Sequence, residues 1–600
     1  MNGRRLIIQT AMILVGIVFL GKLFAIQVAD SKYAYKAERI SRRKVIEYPH
    51  RGLIFDRNNQ LLVHNNPQYD LLVVPRNVRN LDTTRFCSLF EITREEFNKK
   101  MRSFRSYPYR PHTFLTKISH QRFAEIQDFL VDFEGFSVTA RTVRAYPHPV
   151  MANAFGYISE ISQEQLTADK ASEKYYQQGD HLGQSGIERF YEEELRGKRG
   201  VSYKIKNAKE VVIGAYENGK YDTLAIPGQN LISTIDIDLQ LYAEKLMAGK
   251  VGSVVAIEPS TGEILCMVSA PSYDPNLLTG KNYSDNFLEI SNDTLKPFFN
   301  RPLMAMYPPG SMFKTIQALI AMQEGVLRPN EQIYCDGTLI GDHAPNGYYD
   351  VRKGIKLSSN NYFFKVFKRI IQQGEDPSPF IDSRSGLRKW KNYIDAFGLG
   401  RAPNIDLPSA KAGNIPGVAD YDKIYGENRW KFSNIYSLSI GQGEVLVTPI
   451  QMANLGAILA NRGHYYDPHI IKSIGESGEA KQAYLQKHEV GIDAVHFESV
   501  IDGMEEVVQA GSGLRAKVPN IAICGKTSTV ENPHGYDHSG FMAFAPKDNP
   551  QIAIAVYVEN AGWGGRAAAS IAGLIIEKYI NGEVSRKWIE DFAIKGEFIY

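Results

Sequence analysis

The hydrophobic pattern divides the chain into three regimes. After Met1-Asn2-Gly3-Arg4-Arg5, residues 6–28 read LIIQTAMILVGIVFLGKLFAIQV, close to the ~20 apolar residues a helix needs to cross a bilayer. Lys22 breaks the run late, where a long side chain can snorkel toward one face. The run predicts an uncleaved anchor rather than a cleaved signal peptide, because it is longer than a typical apolar signal core and no small-x-small cleavage site follows. Arg4 and Arg5 assign the short N-terminal side to the cytoplasm and the remainder to the far side of the membrane. Lys32, Lys36, Arg39, Arg42, Arg43 and Lys44, just after the span, weaken that signal.

Residues 29–228 form the second regime, in which short strand-like pieces (YDLLVVP, FSVTARTVRAYP) alternate with helical ones (REEFNKKMRSF, HQRFAEIQDFLVDF). PGQNLISTIDIDLQLYAEKLM then reads as a strand passing into a helix. From Val251 the third regime begins: VGSVVAIEPSTGEILCMVSA is two β-rich runs around Pro259-Ser260-Thr261-Gly262, a hairpin signal. Near the C-terminus NIAICGKTSTV, SGFMAFAP and QIAIAVYVEN are three more strands, followed by the helical RAAASIAGLIIEKYI. Between these groups the pattern is largely helical, with SMFKTIQALIAMQEG and TPIQMANLGAILANRG the clearest cases. Strands at both ends with helices between predict an α+β domain whose sheet joins its two ends.

Composition narrows the function classes. The 600 residues exceed what one core usually serves, and 44% are hydrophobic, enough to build more than one. A net charge of +3 with no dense Lys/Arg block argues against nucleic acid as a partner. Cys87, Cys266, Cys335 and Cys524 are scattered without CxxC spacing, which fits neither a disulfide scaffold nor a cysteine zinc module. Cys335, Asp342, His343 and Asp350 lie near one another in sequence, but their spacings match no strong ligand pattern, so no metal and no cofactor is expected.

The candidate chemistry starts at YPPGSMFK. Ser311 and Lys314 stand three apart, on one face of a helix. A serine hydroxyl needs a base to take its proton, and a lysine becomes that base when burial or nearby positive charge lowers its pKa. Pro308 and Pro309 suit the approach to a helix, and Gly310 leaves room for a ligand. By itself SxxK is weak, since a capping serine and a solvated lysine read the same way. KLSSNNYFFKVF adds Ser358 and Asn360 in S-x-N order, each also a plausible turn or cap residue. CGKTSTVEN adds Lys526 and Thr527 on a strand. The three together, in this order within one α+β segment, are much harder to obtain by accident.

This trio resembles the active-site signature of penicillin-binding proteins and serine β-lactamases. RGLIFDRNNQLL, GQSGIERFYEEELRG, STIDIDLQ, AIEPSTGEILCMVSAPSYDPN, NRPLMAMYPPGSMFK, IGQGEVLVTPIQMAN and YYDPHIIK are similar to successive landmarks of the class B penicillin-binding proteins. The likeness covers nearly the whole chain and is nearest the elongation type, with the division type as the alternative. It implies an α+β architecture: residues 1–28 a cytoplasmic tip and transmembrane helix, 29–228 an elongated non-catalytic pedestal of mixed α/β content, and 229–600 a transpeptidase domain with an antiparallel sheet flanked by helices.

By that resemblance Ser311 would attack the D-Ala-D-Ala carbonyl of a peptidoglycan stem peptide, with Lys314 as its base. Ser358 would relay a proton to the leaving group, and Asn360 would hold the bound peptide and Lys314. Lys526 and Thr527 would recognise the terminal carboxylate, and the backbone N–H groups of Ser311 and Thr529 would form the oxyanion hole. Implied partners are stem peptides, β-lactams as covalent inhibitors, the membrane, and a polytopic glycosyltransferase of the shape, elongation, division and sporulation (SEDS) family with other elongation-complex proteins. The implied location is the bacterial inner membrane, single-pass, with the catalytic domain outside the cytoplasm. One departure stands out: where the family pattern is Lys-Thr-Gly, this chain has Ser528. A side chain pointing away from the cleft leaves the site normal, and one pointing inward slows acylation or narrows substrate choice. From sequence, Ser528→Gly is expected to bring a modest gain. A chiefly structural role as activator of the polymerase, with catalysis impaired at Ser528, is the second reading. A β-lactamase or antibiotic sensor fits poorly with so long an anchored front part.

Overall fold

A computed structural model of the chain describes residues 2–25, 42–171, 175–207, 212–280, 282–475 and 482–599. The predicted basic stretch Lys32, Lys36 and Arg39, and the 28/29 boundary, lie outside the described residues. Residues Asn2–Phe24 form one helix, exposed along its length. Among the described residues it is the one helix long and apolar enough to span a bilayer.

The rest divides into two compact units that interleave along the chain. One takes residues 52–64, 144–195 and 229–600; the other takes 65–143 and 196–228 together with residues from the N-terminal 1–51.

In the larger unit, the hairpin expected at residues 251–270 is strand β1 (Gly252–Ile257) and strand β2 (Ile264–Ala270). The three C-terminal strands are β3 (Cys524–Val530), β4 (His538–Ala545) and β5 (Ile552–Val558). They join as one antiparallel sheet in the order β2-β1-β5-β4-β3, so the two ends of the domain meet where β1 pairs with β5. Nearly every residue of this sheet is buried, because helices cover both faces. Strand periodicity of two then sorts side chains into two cores. Val254, Ala256, Ile554 and Val556 pack with helices α1 (Ile237–Met247) and α6 (Ala567–Asn581). Val255, Ile257, Met542 and Ala555 face the other core, with helices α2 (Lys314–Gln323), α3 (Asn360–Ile371) and α4 (Pro449–Ala460). Helix α5 (Ala494–Ala510) packs against β3 on its way back to the sheet. Cys524 and Val530 of β3 belong to the core containing α2, which turns Lys526 and Ser528, two residues apart on the same face, toward α2 as well.

The smaller unit has a phenylalanine-rich core. Phe86 lies 4.5–5.6 Å, centroid to centroid, from Phe90, Phe97, Phe114, Phe133 and Phe136. Thr93 and Glu96 cap the helix Arg94–Ser103 reciprocally. HQRFAEIQDFLVDF is a helix only over His120–Ile126 and tightens to a 3-10 turn over Gln127–Asp132. A separate three-stranded sheet joins Arg42–Glu47, Gly200–Lys206 and Val212–Ala215.

Candidate active site

The segment YPPGS is held by backbone before any side chain is considered. Tyr307 and Val447 exchange N–H···O=C bonds of 2.9 Å, and Gly310 N donates to Gly441 O at 2.8 Å. The landmark IGQGEVLV therefore serves as the strap that seats the serine turn. Gly441 adopts φ 67°, and a Cβ there would lie 2.5 Å from Gly310 O, so only glycine fits. The Tyr307 phenol donates to Glu559 at 2.7 Å; burial first, then the Glu559 charge, pushes its pKa well up and keeps it a donor.

Ser311 sits in a 3-10 turn over Gly310–Phe313, and α2 begins only at Lys314. This differs from the expected α-helix beginning at the serine. The cause is the local sequence: Gly310 takes φ 53°, and Pro309 precedes it without an N–H to donate. A 3-10 turn brings positions i and i+3 into register, so Ser311 and Lys314 share a face more closely than an α-helix would place them.

The Lys314 amine is fully buried. It donates to Ser358 O at 2.6 Å and Asn360 Oδ1 at 2.6 Å, with Ser358 Oγ at 3.3 Å. Desolvation pushes its pKa down to about 7, against the opposing pull of Asp342. A neutral amine has two N–H bonds and one lone pair. The two acceptors at 2.6 Å use the N–H bonds and leave the lone pair free to take a proton. Ser311 is half-buried, and its hydroxyl makes no hydrogen bond among the described residues.

The S-x-N corner is strained and well anchored. Ser358 holds left-handed backbone (φ 57°), the kind of strain that persists where surroundings over-determine it. The cap of α3 is Ser359, not Ser358 or Asn360: Ser359 Oγ accepts from Tyr362 N at 3.1 Å and donates to Asp342 Oδ2 at 2.6 Å. Asp342 Oδ2 also accepts from Asn361 N at 2.9 Å, while Asn360 Nδ2 donates to Gly341 O at 2.8 Å. With its neighbours so fixed, Ser358 is free to face both lysines.

Strand β3 supplies the second lysine. Lys526 Nζ donates to Ser358 Oγ at 2.8 Å and to Thr527 O at 3.2 Å. It too is fully buried, and desolvation followed by the Lys314 charge holds its pKa well below the usual lysine range. Thr527 and Thr529 alternate to the opposite face of β3: Thr527 Oγ1 bonds Ser512 Oγ at 2.6 Å, and Thr529 Oγ1 accepts from Gly564 N at 3.2 Å. Ser528 is buried and donates to Pro309 O at 2.9 Å. Its side chain points inward, onto the turn that carries Ser311.

Lys314, Ser358, Asn360 and Lys526 thus converge, Ser311 lies one turn before Lys314 on the same segment, and Thr527 and Thr529 adjoin Lys526 along β3 with their hydroxyls on its other face. Sequence reasoning passed over Asp342 as a carboxylate that orders the S-x-N corner, and Tyr307 with Glu559 as an anchor of the serine turn. An isolated acid in a polar loop and a tyrosine before two prolines carry no distinguishing signal. Among the described residues no three His, Cys, Asp or Glu side chains gather at a point that suits a metal. Asp342 is engaged as above, Asp350 accepts from Lys353 N at 2.9 Å, His343 lies 5.6 Å from the Trp563 ring, and the buried Cys335 thiol donates weakly to Ile333 O.

Residues 252–577 match the model of the penicillin binding protein transpeptidase domain, and residues 46–233 that of the penicillin-binding protein dimerisation domain. A peptidoglycan D,D-transpeptidase MrdA of Haemophilus influenzae is 29% identical over 95% of this chain and 90% of its own. The Pseudomonas aeruginosa PBP2 structure, in complex with WCK 5153, superposes with a TM-score of 0.64 at 26% identity, covering 91% of this chain and 99% of that one. PBP2 of Helicobacter pylori in its complex with MreC has the same fold, with a TM-score of 0.71 at 22% identity over 90% of this chain and all of that one.

Proposed function

The chain belongs to the penicillin-binding protein transpeptidase family, and from that premise we propose that it is a peptidoglycan D,D-transpeptidase of cell-wall elongation, with Ser311 as its nucleophile. The observation that carries this is the amine of Lys314, buried, held at about pKa 7, and bonded to Ser358 and Asn360 with a lone pair to spare. Ser311 Oγ attacks the carbonyl carbon of the penultimate D-Ala, and its proton passes to Lys314 Nζ. The N–H groups of Ser311 and Thr529 take the oxyanion. As the C–N bond breaks, the leaving D-Ala nitrogen gains a proton through Ser358, whose hydroxyl lies between Lys314 and Lys526. Lys526 and Thr527 hold the terminal carboxylate. An amine of a second stem peptide then attacks the ester, gives up a proton through Lys314, and releases Ser311 with a new peptide bond formed. β-Lactams acylate Ser311 by the same route, through opening of their ring amide.

In this reading residues 29–228 are the pedestal and 229–600 the transpeptidase domain. The helix Asn2–Phe24 anchors the chain in the inner membrane with the catalytic domain outside the cytoplasm. It works there beside a SEDS-family glycosyltransferase. The test is cross-linking by the full chain in detergent with pentapeptide-bearing peptidoglycan strands. Released D-Ala and a cross-linked dimer in equal amounts are expected. D-Ala release with water as the only acceptor would make the protein a carboxypeptidase instead.

A further inference from the structure

Ser528 stands where the family pattern has glycine, and its surroundings are built to receive it. Its hydroxyl donates to Pro309 O at 2.9 Å. A Cβ on Gly310 would lie 2.3 Å from Ser528 Oγ, one on Gly540 would lie 3.3 Å from Ser528 Cβ, and one on Gly564 would lie 2.3 Å from Ser528 O. Gly310 and Gly540 therefore make the space that this side chain occupies, and Gly564 lets the β3 backbone pass close by. Its exposure of 1% keeps it off the surface where a stem peptide would lie.

The accepting carbonyl matters because of its place in the chain. Pro309 has a ring-fixed φ, and only Gly310, in left-handed backbone at φ 53°, separates it from Ser311. Pro309 O and Gly310 N are the two polar ends of one peptide unit, and with Gly310 N already strapped to Gly441 O the Ser528 bond fixes the plane of the peptide from which the serine turn starts. Strand β3 thus holds both halves of the site: Lys526 reaches the S-x-N corner, and Ser528 reaches the serine turn. Lys314 closes the circuit from the serine helix back to Ser358 and Asn360.

We propose that Ser528 is a positioning residue that fixes the Ser311 turn against β3, so that removing its hydroxyl slows acylation. The inference rests on the transpeptidase reading and reverses the gain expected for glycine from sequence. The test uses the full chain in detergent and rapid-mixing kinetics with a fluorescent penicillin, which separate reversible affinity from the acylation rate constant. The burst amplitude counts the competent fraction. Ser528→Ala and Ser528→Gly are expected to slow the acylation step about 5- to 10-fold, the worth of one buried hydrogen bond. Affinity should change less than about twofold, since the hydroxyl does not border the ligand. The pH midpoint should stay at about 7, because Lys314 keeps its partners. Acylation at the wild-type rate or faster in both variants would overturn the proposal, as would a loss confined to burst amplitude or to affinity. A wild type that does not label would overturn the transpeptidase reading and this inference with it, whereas a labelled wild type with unchanged variants would overturn the inference only.

Discussion

Lys314 and Lys526 are two fully buried amines that share one hydroxyl, Ser358 Oγ. Burial disfavours charge on both, and the Lys314 charge disfavours it further on Lys526, so the site favours a neutral base. The direction of the pH dependence follows. Below about 7 Lys314 is protonated and has no lone pair for the Ser311 proton; above it the amine is neutral. Penicillin acylation of the full chain should therefore rise with pH, reach half its maximum near 7, and fall about tenfold per unit well below that. Stopped-flow labelling between pH 5 and 9 checks this, and a flat profile would rule out Lys314 as the base. Lys314→Arg should remove the rise and slow acylation by about 10²–10⁴-fold, the usual worth of a general base. Gly310→Ala places a side chain at left-handed φ and 2.3 Å from Ser528 Oγ. It should cost at least about 1–2 kcal/mol, seen as a lower Tm, together with slower acylation.

At the scale of single elements, the start of helix α3 depends on one carboxylate. Asp342 receives Ser359 Oγ and Asn361 N, the neighbours on either side of Asn360. Asp342→Asn takes the charge from both bonds and, with its oxygen kept toward them, turns its N–H onto the donor Ala344 N, so the S-x-N corner should loosen. Acylation should fall about tenfold with a stability loss of roughly 1–2 kcal/mol. Kinetics and a thermal melt on the same sample check both, and unchanged kinetics would remove Asp342 from the site. The strands β1 to β5 and helices α1, α2, α4 and α6 were legible because apolar periodicity decides them. The turn over Gly310–Phe313 was not, since the same residues can open a helix or a 3-10 turn, and the left-handed φ that Gly310 takes here is only one of those open to glycine. The cap at Ser359 was ambiguous for a related reason: Ser358, Ser359 and Asn360 are all good capping residues, and Asp342 chooses among them from 17 positions away.

For the molecule as a whole, sequence carried the order of regimes and named the residues proposed to react, while the side to which each polar residue turns came from packing. Ser528 is the case in point. Strand alternation fixes that it shares a face with Lys526, but what that face meets depends on where the turn before Ser311 lies. The interleaving of residues 52–64 and 144–195 into the larger unit was equally hidden, because short apolar stretches do not say which core they join. The N-terminal helix gives a separable expectation. The full chain should sediment with membranes and resist alkaline carbonate, whereas a chain lacking residues 2–25 should be released and still label with penicillin. The most direct test of the central claim is peptide mass mapping after labelling: the full chain is incubated with a penicillin, digested, and searched for the acyl adduct. One stoichiometric adduct on the peptide bearing Ser311, absent from Ser311→Ala, is the expected result. An adduct on another residue, or none on a folded protein, would contradict it.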